Sequence, residues 1–165
     1  MRQVADHLRQ QTVTLGSEQD VDAFARSAFN RYYYASYLVA RGLDREIRAA
    51  AQSPGHKALP EIIVGTLRER ILRELRSAAK SRLLPYGRVE SCKAKVCSAT
   101  QSLSELLISG YGLRVIADYE PEQIAHRNGK TVLLSGTTLD AAARWPERAD
   151  RFCGEILSVW KELGH

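Results

Sequence analysis

Leu59, Ile63, Leu67, Ile71 and Leu75 recur at every fourth position, with Ile62 and Leu72 widening the same face. Apolar residues three and four apart stack on one side of an α-helix. Pro60 falls in the first turn, where its missing N–H leaves no helical bond unmade. The spacing predicts a helix from Leu59 to Ala79, about 30 Å long at the usual rise per residue. Its opposite side carries Arg68, Glu69, Arg70, Arg73, Glu74 and Arg76, with Glu69 and Arg73 in the favourable i,i+4 order.

The same period organises the rest of the chain. Val21, Phe24, Ala25, Ala28, Tyr32, Ala35 and Val39 predict a helix from Ser17 to about Arg41, with Ser17 or Asp20 as its cap and Gly42 as its stop. A shorter helical piece, Asp44 to Ala51, is expected before the turn Ser53-Pro54-Gly55. Ala94, Cys97, Leu103, Leu106, Leu107 and Tyr111 predict a helix from about Glu90 to Tyr111, ended by Gly110 and Gly112. Residues 113–119 read equally as more helix, while Glu120-Pro121 and Asn128-Gly129 signal turns. Thr131–Leu134 has strand-like composition but no obvious partner, and is expected to be a loop. A last helix starts at Thr137 or Thr138 and buries Ala149, Phe152, Cys153, Ile156, Leu157 and Trp160, with a kink or a fresh start at Pro146. Four to five helices with short connections predict an all-α bundle, a single domain over residues 17–163 with an N-terminal extension at 1–16.

The 165 residues suffice for one core. Every apolar run is too short to span a bilayer, and the charged start MRQVADHLRQQ is unlike a signal peptide, so a cytoplasmic protein away from membranes is expected. Three cysteines, an odd number, argue for reduced thiols. Cys92 and Cys97 have no histidine at zinc-ligand spacing, and neither a metal nor a cofactor is expected. A net charge of +5 suits an acidic partner such as RNA, and equally suits a merely soluble surface. The same two readings apply to Arg68, Arg73 and Arg76, as phosphate contacts or as a solvated face.

Three places hold residues that chemistry could use. Arg31 lies three residues from Ala28 and four from Ala35, which sets a guanidinium at the core edge beside Tyr32, Tyr33 and Tyr34, where it needs an acceptor. Arg114 and Asp118 are i,i+4 partners if residues 113–119 are helical. His56 sits in a turn before the long helix, placed to cap, to pack, or to move a proton near neutral pH.

Taken together, Arg31-x-Tyr33-Tyr34-Ala35, then His56, then Arg114-x-x-Ala117-Asp118-Tyr119, resemble the R-x-Y-Y-A, H and R-x-x-A-D-Y landmarks of one HEPN subfamily, in order and approximate spacing. The resemblance implies a compact helical bundle, commonly homodimeric, encoded in many cases beside a nucleotidyltransferase-like antitoxin or within a defence system. Active members are metal-independent ribonucleases, in which a histidine handles the proton of the ribose 2′-hydroxyl and an arginine stabilises charge on the phosphate. Carried over, His56 is the acid or base, Arg31 and Arg114 steady phosphate, and Tyr33, Tyr34, Asp118 and Tyr119 support them.

The chain departs from the family's signature, an arginine followed four to six residues later by histidine. Arg2 and His7 match that spacing but lie in the N-terminal extension; His56 is too far from Arg48, and His126 too far from Arg114. A site combining Arg31 or Arg114 with His56 must then be assembled by folding. Two functions follow: an RNA-cleaving toxin or defence effector, or a non-catalytic module that dimerises and binds RNA, a nucleotide or a partner protein, with the Arg/Tyr/Asp group as scaffolding.

Overall fold

Helical periodicity dictates most of the architecture. The computed structural model describes residues 1–49 and 52–165. Its helices are α1 (Arg2–Thr14), α2 (Glu18–Arg48), α3 (Ala58–Ile62), α4 (Arg68–Lys80), α5 (Tyr86–Tyr119), α6 (Leu139–Ala143) and α7 (Trp145–Glu162), with a π-helical turn, Ile63–Leu67, joining α3 to α4. The strands are β1 (His126–Asn128), β2 (Thr131–Leu134) and β3 (Thr137–Thr138). The chain is thus predominantly all-α, and among the described residues no helix is long and apolar enough to cross a membrane. Two compact units can be told apart, one of Met1–Leu38 with Leu107–Arg148, the other of Val39–Leu106 with Ala149–His165.

In the first unit, α2 buries Val21, Ala25, Ala28, Phe29, Tyr32 and Tyr33, and α5 buries Leu107, Leu113 and Ala117. Residues 1–16, expected as an extension, are part of this unit. Ala5 of α1 is fully buried, the Tyr32 hydroxyl donates to Asp6 at 2.7 Å, and Arg127 donates to the carbonyls of Thr12 and Leu15. The expected stop at Gly110 is also absent, because α5 runs on to Tyr119. A Cβ at Gly110 would stand 3.0 Å from Tyr33 Cδ2 and 3.6 Å from the Trp145 ring, so this glycine lets aromatic rings approach the backbone rather than ending the helix.

Thr131–Leu134, expected as a loop, is the middle strand of an antiparallel sheet in the order β1-β2-β3, pairing Arg127 with Val132 and Leu134 with Thr137. Its partners are three and two residues long, too short to announce themselves by alternation. The turns do so instead. Gly129 (φ 62°) opens the first, while Ser135 (φ 46°) and Gly136 (φ 77°) form the second with both φ positive, the two-residue connection that matches strand twist. Thr138 caps α6 by accepting from the Ala141 amide at 3.1 Å, and Pro146 sits in the first turn of a fresh helix, α7.

In the second unit, Leu59, Ile63, Leu67, Ile71 and Leu75 are all fully buried, each contributing about 1.5–3 kcal/mol. A strict four-residue repeat is awkward for an α-helix, because four residues advance about 400° and the stripe drifts about 40° per step. The π turn, with more residues per turn, swings it back. Gly42, the other expected stop, lies inside α2, which continues to Arg48. Leu43 and Ile47 are buried beyond it, and Asp44, wholly buried, is held by two bonds from Arg48. That burial exceeds the roughly 1 kcal/mol a mid-helix glycine costs. The expected helix Asp44–Ala51 is thus the end of α2 as far as Arg48; Ala50 and Ala51 lie outside the described residues.

The first half of α5 buries Val89, Cys92, Val96, Ala99 and Leu103, not a stripe through Ala94, which is exposed. Arg88 holds Glu162 of α7 through two bonds of 2.6 Å. Cys92, Cys97 and Cys153 are free thiols.

Candidate functional site

Helical phase decides which side chains of α2 and α5 can meet. Arg114 and Asp118 lie one turn apart on the last stretch of α5, which is helical as one of the two sequence readings required. Arg114 Nε stands 2.8 Å from Asp118 Oδ2, close enough for an ion pair but without hydrogen-bond alignment. Its guanidinium carbon lies 6.0 Å from the Tyr34 ring centre and 5.4 Å from that of Tyr119, within range of cation–π attraction. Asp118 Oδ1 accepts from Asn30 Nδ2 at 2.6 Å, so one carboxylate ties α2 to α5 and faces Arg114 as well. Burial works against the Arg114 charge, yet Asp118 and the hydroxyls of Tyr119 and Tyr34 outweigh it and raise its pKa.

Tyr33 anchors the aromatic side of this group. Its ring meets Tyr34 edge-on at 5.8 Å, Tyr111 at 6.0 Å, and stacks on Tyr37 at 6.2 Å. Burial, then the neighbouring tyrosines, push its pKa up, so the hydroxyl stays protonated. Tyr33, Tyr34, Arg114, Asp118 and Tyr119 are thereby brought together within the first unit.

Arg31 does not join them. Tyr32 and Tyr33 take the inward positions on α2, and Arg31, a residue earlier, is exposed rather than set at the core edge; its Nη1 lies 3.9 Å from Met1 Sδ. His56 belongs to the second unit, half-buried in the turn that precedes α3. On α4 of that unit, Arg73 and Arg76 are exposed and Arg68 is half-exposed. The expected Glu69–Arg73 pair does not form; Glu69 instead lies 4.0 Å from Arg76.

Arg26 is a heavily bonded side chain that sequence reasoning missed. Arg26 donates through Nε to both Asp22 oxygens at 2.8 and 3.0 Å, through Nη1 to the carbonyls of Ile116 and Ala117 at 3.1 and 3.0 Å, and through Nη2 to those of Glu120, Pro121 and Gln123. Asp22 in turn accepts from the Ala125 amide at 2.6 Å. The last carbonyls of a helix lack internal partners and carry its negative dipole end, so a guanidinium there satisfies both. The only local signal is the i,i+4 spacing of Asp22 and Arg26, which reads as an ordinary helix-surface pair.

Chemically, the Arg114 group sets a cation against a carboxylate and between rings, with Arg114 Nε and Asn30 Oδ1 buried and without a hydrogen-bond partner. Among the described residues, no group of three histidine, cysteine, aspartate or glutamate side chains could hold a metal ion. Comparison with family models, with curated proteins and with solved structures returned no match.

Proposed function

We propose that this chain is a non-catalytic HEPN-like module that binds RNA, with the Arg/Tyr/Asp group as internal scaffolding and the cations of α4 as a phosphate-facing surface. The observation that carries this reading is the commitment of Arg114 to Asp118, Tyr34 and Tyr119. An arginine that stabilises charge in a transition state needs donors free for the phosphate, and this one is opposed and covered at rest. Exposure of Arg31 away from that group points the same way. Among the described residues Arg68 and Arg73 form no ion pair, and Arg76 has only a 4.0 Å contact, so α4 keeps positive charge to offer a polyanion. A homodimer in the cytoplasm, working beside a nucleotidyltransferase-like antitoxin or another defence protein, is the setting the family resemblance suggests.

The test is to mix purified protein with varied single-stranded RNAs in EDTA and follow both binding and cleavage. Binding that weakens steeply with salt, loss of affinity in Arg73→Gln/Arg76→Gln, and intact RNA are expected. RNA fragments that disappear with His56→Ala would overturn the reading in favour of a ribonuclease built on His56, Arg31 and Arg114.

A further inference from the structure

A cavity of about 510 Å³ lies wholly within the first unit, between α1, the β1–β2 hairpin and the start of α6. None of its residues belongs to the Arg114 group or to α4, so what it does is separate from RNA binding. Its volume is in the range of sites that hold one small molecule.

The charge of the lining is lopsided. Arg9, Arg127 and Lys130 face a single carboxylate, Asp140. Arg127 cannot swing away, because its Nη2 is tied to the carbonyls of Thr12 and Leu15; Glu18, 4.0 Å from its Nη1, is largely exposed and offsets it only weakly. Arg9 bonds Asp140 at 2.6 Å through Nη1. Lys130 stands on the hairpin turn with no ion pair among the described residues. Beside it, Gly129 has only open space where a Cβ would be, which keeps the mouth clear. The apolar lining is Val132 and Leu139, both nearly fully buried, and Val13, which is 74% exposed.

We propose that this cleft binds a small phosphate monoester, its phosphate among Arg9, Arg127 and Lys130 and a ring-sized apolar body against Val13. Three cations and one carboxylate leave two positive charges, which match a phosphate monoester, at roughly −1.5 to −2 near pH 7, better than a carboxylate. Arginine also presents the forked donors that suit phosphate oxygens. The exposed side chain of Val13 would be left wet by a bare anion and is covered by an ester.

The experiment is a calorimetric titration of the full chain with phenyl phosphate, with amide shifts recorded alongside. One saturable site is expected, with shifts at the hairpin and α1. Inorganic phosphate and benzoate should each bind about tenfold more weakly or worse, and Lys130→Gln should weaken phenyl phosphate by about tenfold, the size of one charge-assisted contact, at unchanged melting temperature. Arg73→Gln, on α4, should bind as the wild type does. Absence of binding, equal affinity for inorganic phosphate, or an unaffected Lys130→Gln would overturn the proposal. So would a 5′-phosphorylated oligonucleotide that displaces phenyl phosphate from the cleft and competes for it more effectively than phenyl phosphate itself, with the amide shifts at the hairpin and α1. Because the probe is not RNA, failure here leaves the RNA reading standing, and the reverse.

Discussion

Asp22 and Arg26, one helical turn apart on α2, grip each other and together close the far end of α5, the carboxylate taking the Ala125 amide while the guanidinium takes the carbonyls from Ile116 to Gln123. Both flank the core stripe of α2, Arg26 one turn before buried Phe29, and between them they hold the point where the helical chain turns into the sheet.

Arg26→Ala should therefore cost about 1–3 kcal/mol, since it removes the donor to the part-buried carbonyls of Ala117 and Gln123 and the cation opposite Asp22 at once. The measurement is thermal unfolding together with hydrogen exchange, and protection should fall first at residues 116–125. Arg26→Lys should recover little, because an ammonium cannot reproduce a planar fork serving five carbonyls.

Arg114→Ala and Arg31→Ala should separate. Arg114 lies against Asp118 and two rings, so its removal should lower the melting temperature by several degrees, whereas exposed Arg31 should change stability by no more than about 0.5 kcal/mol. Equal losses in the two variants, measured by calorimetry, would contradict the division between them.

Gly110→Ala pits two effects against each other. Alanine gains up to about 1 kcal/mol of helix propensity, but its Cβ meets Tyr33 Cδ2 at 3.0 Å. Overpacking against a ring that is itself held by neighbours typically costs about 1–3 kcal/mol, so net destabilisation is expected in urea unfolding.

Glu162 predicts a pH dependence. Its bonds from Arg88 hold the carboxyl below its ordinary range, so folding favours the ionised form. A depressed folded pKa gives stability that is complete above the unfolded value and is lost as pH falls through the folded one. Stability should decline on acidification below about pH 4.3, the unperturbed glutamate value, and the slope should be shallower in Glu162→Gln, read from unfolding midpoints between pH 5 and pH 3.

Much of this was legible in advance, for reasons that differ by element. The stripe from Leu59 to Leu75 announced its helix, because Ile62 and Leu72 widen the face as a helix requires while a strand would bury Glu61, Glu69 and Arg73 with it. Arg114 and Asp118 were recognisable as partners from spacing alone. Gly42 and Gly110 misled, since a glycine's local preference is about 1 kcal/mol, and burial of Ile47 or a close approach by Tyr33 outweighs it. The strand Thr131–Leu134 was missed because its partners carry almost no pattern of their own. Arg26 was invisible for a deeper reason, as its acceptors are backbone carbonyls some ninety residues away, and a carbonyl has no letter in the sequence.

The wide turn at Ile63–Leu67 has a consequence for how this stretch tolerates changes of length. A deletion within a regular helix rotates everything beyond it by about 100°, which at Arg73 would tear Leu75 from the core. A π turn is in effect an α-helix carrying one surplus residue, so removing Gly65 should let the segment relax into ordinary α-geometry with both flanks still facing inward. Around this one turn, and not elsewhere along α3 and α4, the chain has a spare letter.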